Sequence, residues 1–427
     1  MLSREDNIRL TRVSRGTPMG ELMRRYWQPA LLSEELPEPD CAPIRVRLLG
    51  EDLIAFRDTT GKVGLVDAFC PHRRAPMFYG RNEECGLRCV YHGWKFDADG
   101  NCVDLPTEPS SSKMKDHIKI LSYPTYEKAD VIWAYMGPKE DMPAPPDYEW
   151  MRSLPTHRHV NKTYEQCNWL QALEGGLDTA HSSYLHRSKI WAGTELRQRD
   201  GAPHLEVERT DCGYTYISNR NLGEDGNYIR VYQFVLPHQQ MRGSVMKNRE
   251  RWEVPRFDGH FWVPIDDTHT WTYNWACSIG PEHVMPRDYI DALNTTSGRG
   301  PTDYIPGTYF PKRNLSNDYL IDRQMQKTVN FTGIVGVSTQ DFALQESMGS
   351  DTDGPICDRT GEHLGSTDKA IIAMRNQLLE ATKDVEAGRR PRGVEPASHR
   401  NVRAFDSLIP PNTDWRTEME DDLRPKW

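Results

Sequence analysis

Residues 70–94 read CPHRRAPMFYGRNEECGLRCVYHGW and carry three of the chain's nine cysteines together with two histidines. Cys70 and His72 are one residue apart, Cys89 and His92 two apart, and sixteen residues separate the pairs. Thiolates and imidazoles in one cluster suit zinc or an iron–sulfur centre. Zinc sites more often place two cysteines on one arm and two histidines on the other. Here each arm brings one of each. That division suits a two-iron cluster in which one iron takes both thiolates and the other both imidazoles. A structural zinc site is the alternative. Cys85 lies off the pattern and reads as a packing residue.

A second group follows at Glu174, Asp178, His181 and His186. Two neutral imidazoles and one carboxylate make the facial triad of non-haem Fe(II) oxygenases, with positions left open for dioxygen. If the segment is helical, the step of three puts Asp178 and His181 on one face. The step of five to His186 requires the helix to distort or end. Asp178 has another possible task, so the carboxylate is sought elsewhere. TQDFALQE (339–346) offers Asp341 at an expected helix start, with Glu346 five residues on. For an anionic substrate, arginine is the best bidentate partner. Arg220, Arg230 and Arg242 lie on or beside expected pocket strands, and Thr179, Ser182 and His238 could donate hydrogen bonds.

The elements that must position these groups divide the chain in two. TPMGELMRRYWQPALLSEEL (17–36) reads as a helix broken near Pro29, with Thr17 as its cap and Pro18 at its first position. IRVRLLG, DLIAFRD, KVGLVDAF, RCVYHGWKFD and DVIWAYMG are short β-rich runs separated by turn signals. They predict a small all-β unit with the cysteine–histidine pairs at two loop tips. PKEDMPAPPDYEW (138–150) reads as a stiff boundary, so the domains are expected at 1–140 and 141–427. NWLQALEGGLDTAHSSYLH (168–186) predicts a helix weakened by Gly175 and Gly176. YTYISNR, YIRVYQFVL, GHFWVPID and HTWTYNWAC predict a larger sheet, and residues 367–388 a late helix. The class is α+β.

With 37% hydrophobic residues, 12 Trp and 18 Tyr the chain is globular. A net charge of −9 argues against nucleic-acid binding. No run of about 18 apolar residues predicts a membrane helix. The charged N-terminus does not resemble a secretory signal, and scattered cysteines suit a reducing cytoplasm. No Gly-x-Gly-x-x-Gly fingerprint is present, so no dinucleotide site is expected within the chain.

Together these motifs resemble the Rieske non-haem iron ring-hydroxylating oxygenases, over nearly the whole chain. RNEECGLRCVYHGWKFD, NWLQALEGGLDTAHSSYLH, WVPIDDTHTW and QESMG are most similar to the phthalate 4,5-dioxygenase group. The resemblance implies a Rieske [2Fe-2S] cluster on Cys70, His72, Cys89 and His92, and a mononuclear Fe(II) on His181, His186 and Asp341. It implies a catalytic sheet flanked by helices in a helix-grip-like arrangement. It implies Asp178 as a bridge between His92 of one subunit and His181 of the next, in a homotrimer or stacked hexamer. The activity it implies is dihydroxylation of an aromatic acid with O₂ and NADH electrons from a flavin- and ferredoxin-containing reductase. O-demethylation or diaryl-ether cleavage would use the same metals.

Overall fold

The computed structural model describes residues 2–187, 194–247, 249–349 and 354–427. The chain opens with two short helices. Ser3 caps α1 (Arg4–Thr11) by accepting from Asp6 N, and Thr17 caps α2 (Pro18–Arg24) by accepting from Gly20 N. The expected break near Pro29 is a change of structure instead. The helix ends at Arg24, and Pro29 lies inside a strand, β1 (Trp27–Leu32).

The strands β2 (Ile44–Leu48), β3 (Glu51–Arg57) and β4 (Val63–Asp67) form one antiparallel sheet. A second holds β5 (Arg81–Glu83), β6 (Gly86–Arg88), β7 (Lys95–Phe96) and β8 (Cys102–Asp104). In a third, β9 (Thr125–Lys128) and β10 (Val131–Tyr135) join β1 in the order β1-β10-β9. Pro29 is tolerated because β1 is an edge strand whose register slips between Pro29 and Leu31.

The proline-rich boundary is docked rather than free. It leads into α3 (Glu149–Arg152), where Glu149 and Arg403 form a wholly buried ion pair and Trp150 stacks on Trp275 at 5.1 Å. Beyond it, β11 (Arg158–Glu165), β12 (His204–Thr210), β13 (Gly213–Asn221), β14 (Asn227–Val235), β15 (Gln239–Lys247), β16 (Glu250–Pro264) and β17 (Thr270–Ser278) build the large sheet. Its order is β11-β17-β16-β15-β14-β13-β12, with β18 (Phe405–Ile409) paired to β14, all antiparallel.

Helices pack on this sheet and on one another. α4 (Trp169–Leu177) lies against β15 and β16. α5 (Thr194–Arg199), α6 (Arg287–Ser297) and α7 (Arg323–Thr328) follow, and α8 (Val337–Gln345) lies against α4 and α6. α9 (Lys369–Glu386) packs on β12, β13 and α2. Leu170, Leu173 and Leu177 of α4 are fully buried, each stabilising the fold by about 1.5–3 kcal/mol. One core runs from α1 and α2 through β10 to α4 and α9, and a separate one lies beneath the cysteine–histidine loops. The first 24 residues therefore dock on the larger unit. Among the described residues no helix is long and apolar enough to cross a membrane.

Candidate functional site

The first cysteine–histidine loop follows β4, and the second joins β6 to β7. Each is closed by its own backbone. Cys70 N donates to Ala75 O at 2.8 Å and Arg74 N to Cys70 O at 2.9 Å. In the second loop Cys89 N donates to Trp94 O at 2.8 Å and Gly93 N to Cys89 O at 2.9 Å. Gly93 has φ +78°, and a Cβ there would meet Pro106 Cγ at 2.6 Å, so this turn demands glycine. The loops face each other: the His72 and His92 rings are 4.5 Å apart, and His72 stacks on Trp94 at 4.3 Å.

Cys70 and Cys89 are buried, and burial with the neighbouring Cys89 pushes the Cys70 thiol up to about 11. His92 Nδ1 is buried without a hydrogen-bond partner. Two buried thiols, two imidazoles meeting edge to face and an orphaned ring nitrogen fit a cluster bound at these four residues, which would take up the thiol protons' places. Cys85 differs from expectation. It is exposed, at φ +60° in the β5–β6 turn, where its N–H donates to Thr59 Oγ1 at 3.0 Å.

The second group departs from a helical reading in a useful way. α4 stops at Leu177, Asp178 caps it in extended conformation, and His181–Ser183 form a separate 3₁₀ turn. Asp178 and His181 therefore do not share a helix face. The glycines explain the tight seat of α4: a Cβ on Gly175 would meet Gln345 Nε2 at 2.0 Å, and one on Gly176 would meet Trp262 at 2.1 Å. Asp341 sits in the middle of α8 rather than at its start.

His181, His186 and Asp341 converge, with ligand atoms within 4.8 Å of one another. The two Nε2 atoms are 3.1 Å apart, and Asp341 Oδ1 lies 3.3 Å from His186 Nε2 and 3.6 Å from His181 Nε2. Gln340, unnoticed in the sequence, orients His186. Its Nε2 donates to Ile334 O at 2.9 Å, so its Oε1 must face His186 Nδ1, 2.8 Å away. That bond puts the proton on Nδ1 and leaves Nε2 as the ligand atom. Burial works against charge at both Asp341 and His181. Their mutual attraction, with His186 and Asp178, outweighs it, lowering the Asp341 pKa and raising that of His181. Glu346, the other carboxylate considered, instead accepts from Tyr319 and from Gln166 N.

Asp178 Oδ1 accepts from Ala180 N at 2.7 Å and His181 N at 3.2 Å, and its Oδ2 stands 3.7 Å from His181 Nδ1. Among the described residues no hydrogen bond joins Asp178 to His92 within the chain. Glu174 anchors α4 from below, buried between Arg359 (2.8 Å) and Arg375 (2.6 Å).

The histidine–aspartate group opens on a cavity of about 170 Å³. Arg230, Arg242, Thr179 and Ser182 line it, as do Arg197, Arg256, Arg299, Asp258 and Glu165. Thr179 Oγ1 is 2.7 Å from Tyr232 OH, and Ser182 Oγ donates to Thr179 O. Arg220 and His238 fall outside it. Arg220 is fully buried and donates to Thr179 O, Ser218 Oγ and Asp200 O, so it braces the turn that carries His181. His238 Nε2 lies 2.6 Å from Gln28 Oε1, beside β1, and burial lowers it to about 3. Arg197, Arg256, Arg299 and Glu165 carry no local motif, because only sheet pairing and helix packing bring them together.

The profile of the Rieske [2Fe-2S] domain matches residues 26–125, and that of the LigXa C-terminal domain like family matches residues 134–424. The oxygenase subunit of phthalate 4,5-dioxygenase from Pseudomonas putida is 38% identical, over 97% of this chain and 94% of its own. The oxygenase subunit of 5,5'-dehydrodivanillate O-demethylase from Sphingobium sp. is 32% identical, over 94% and 86%. This chain belongs to the Rieske aromatic ring-hydroxylating oxygenases. The solved structure of NdmA from Pseudomonas putida CBB5 shares the oxygenase's fold at 16% identity, with a TM-score of 0.62 over 93% of this chain and 100% of that one. The oxygenase is thus the terminal oxygenase subunit of a multicomponent system acting on aromatic compounds. Its family carries a mononuclear iron besides the cluster and draws electrons from a separate reductase.

Proposed function

We propose that this oxygenase dihydroxylates an aromatic carboxylate of the phthalate kind, with O₂ and NADH electrons from a flavin- and ferredoxin-type reductase. The observation that carries the reading is the cavity's cationic wall. Asp258 serves two guanidiniums, Arg242 and Arg256, and is held well below the usual carboxylate range by them despite burial. Arg299 Nε and Nη1 are buried with no acceptor among the described residues. Burial pushes the Arg299 guanidinium down to about 10, yet it stays charged at neutral pH. A buried cation with donors still open can take a carboxylate, and that supports the reading.

In this reading Cys70, His72, Cys89 and His92 hold the cluster, and His181, His186 and Asp341 hold the iron. Iron held by these three side chains would supply dioxygen activation. Gln340 fixes the His186 ring, and Asp178 steadies His181. The arginines hold the carboxylate so that the ring lies over the three ligands, and the buried wall keeps water away. Asp178 would meet His92 of a second subunit, giving a homotrimer or stacked hexamer in which electrons cross between chains.

The test is oxygen uptake by the Fe(II)-loaded protein with a matched reductase, NADH and a panel of phthalates, methoxybenzoates and neutral aromatics. A cis-dihydrodiol from an acid supports the proposal; turnover of neutral aromatics alone would overturn it. Release of formaldehyde would favour the second reading, O-demethylation, which the similarity to a demethylase subunit supports.

A further inference from the structure

Behind the arginine wall lies a second cavity of about 280 Å³. It shares Arg197, Arg230, Ser244, Arg256 and Leu293 with the cavity over the histidine–aspartate group, so these side chains form a partition between two chambers. Beyond the partition the character changes. Tyr228, Met246, Trp252, Tyr289 and Ala292 line the outer chamber, and the one carboxylate among the described residues there, Asp406, is taken up by Tyr228 OH and by Val245 N and Met246 N. The partition is braced: Arg256 Nη1 donates to Tyr289 OH at 2.6 Å, and Arg230 Nη2 to Gly243 O at 3.0 Å. Arg256 also lies near the faces of Trp252 and Tyr289, at 5.7 and 5.9 Å.

Size decides what each chamber can take. A cavity of about 150 Å³ accommodates a benzene ring. The inner chamber therefore has room for one ring, and the outer has room for another. Between them stand guanidiniums suited to a carboxylate. Aromatic walls with a cation at one edge favour an aryl group carrying an acid beside it.

We propose that the two chambers together bind a two-ring aromatic acid: the ring to be oxidised and its carboxylate in the inner chamber, whose wall holds Arg299 as well as the shared arginines, and a second aryl group in the outer chamber. This rests on the aromatic-acid reading above and narrows it. The outer chamber selects size, and the inner one places the reacting carbon. α6 supplies Tyr289, Ala292 and Leu293 to the outer wall, so its packing sets how large the second group can be.

The experiment is calorimetric titration of the iron- and cluster-loaded protein with benzoate, phthalate, biphenyl-2-carboxylate, 3-phenoxybenzoate and neutral biphenyl, in wild type and in Ala292→Trp. Wild type is expected to bind the two-ring acids about tenfold more tightly than benzoate. Ala292→Trp fills the outer chamber; it should erase that advantage and leave benzoate within about twofold. Two-ring acids that bind no better than benzoate would overturn the proposal while leaving the aromatic-acid reading intact. Equal weakening of both series by Ala292→Trp would also overturn it, marking the chamber as an entry path. Binding of neutral biphenyl but of no acid would instead defeat the aromatic-acid reading itself. Thr296→Trp, at another point of the same wall, repeats the test should Ala292→Trp misfold.

Discussion

At the scale of single residues, the three proposed iron ligands separate from their surroundings by function. His181→Ala should abolish turnover while the visible spectrum of the cluster stays unchanged, since the cluster loops rest on their own core. An unchanged rate would sink the iron assignment. Arg299→Gln removes the cation with unfilled donors. It should weaken binding of aromatic acids by about 10–100-fold and leave neutral aromatics unaffected, as read by calorimetry. Glu165 offers a pH test. It is buried beside Thr272, which donates to it, and burial raises its pKa from 4.5 to about 8. Between those values the native state keeps a proton that the unfolded chain has released. Stability therefore falls as pH rises through this window and levels off above it. Glu165→Gln carries no such proton, so urea midpoints of the variant at pH 5 and pH 8.5 should differ less than those of wild type. Identical pH dependence would show that Glu165 is ionised in the fold.

At the scale of elements, α4 and α8 bring the site together, and their closeness depends on absent side chains. Gly176→Ala would drive a Cβ into Trp262 on β16. The expected cost is about 1–3 kcal/mol, with loss of iron affinity as α4 and its Asp178 cap shift. Thermal unfolding and iron content check this; wild-type iron binding would show that α4 is not what positions the histidines. The same elements show what was legible beforehand. Thr17 and Pro18 announce α2 because capping is a local matter, settled by one side chain and one fixed φ. The end of α4 at Leu177 was not legible, since the sequence pattern continues past it and only packing of Gly175 and Gly176 seats the turn. Pro29 misled for a similar reason: a proline breaks a helix locally, but an edge strand accepts it only where a neighbour leaves the N–H side unused.

At the scale of the whole molecule, the cysteine–histidine loops and the proposed iron ligands lie in different units, with no hydrogen bond from His92 to Asp178 among the described residues of one chain. Subunit-to-subunit transfer is the reading that joins them. Light scattering should find a trimer or a multiple of it, and a fully active monomer would count against the bridge. Asp178→Asn should keep both metals and the same assembly, yet slow oxidation of the reduced cluster in a single turnover by about 100-fold or more. A wild-type rate would remove Asp178 from the path between the metals.

The sequence by itself determined the donor chemistry. Cysteine–histidine pairs at short spacing and a histidine pair after a glycine-weakened helix are local patterns, because each ligand set must sit on one or two short segments to hold its geometry. Only the tertiary structure decided which carboxylate joins the histidines and which arginines face the cavity. Asp341 and Glu346 look alike in TQDFALQE, but five residues along a helix separates their directions, and only packing of α8 on α4 turns Asp341 inward. Arg220 and Arg230 sit on neighbouring strands, and the pairing of Ser218 with Arg230 puts them on the same face of the sheet. One is sealed under the turn that carries His181 and the other lines the cavity, because different elements are laid over that face at the two positions.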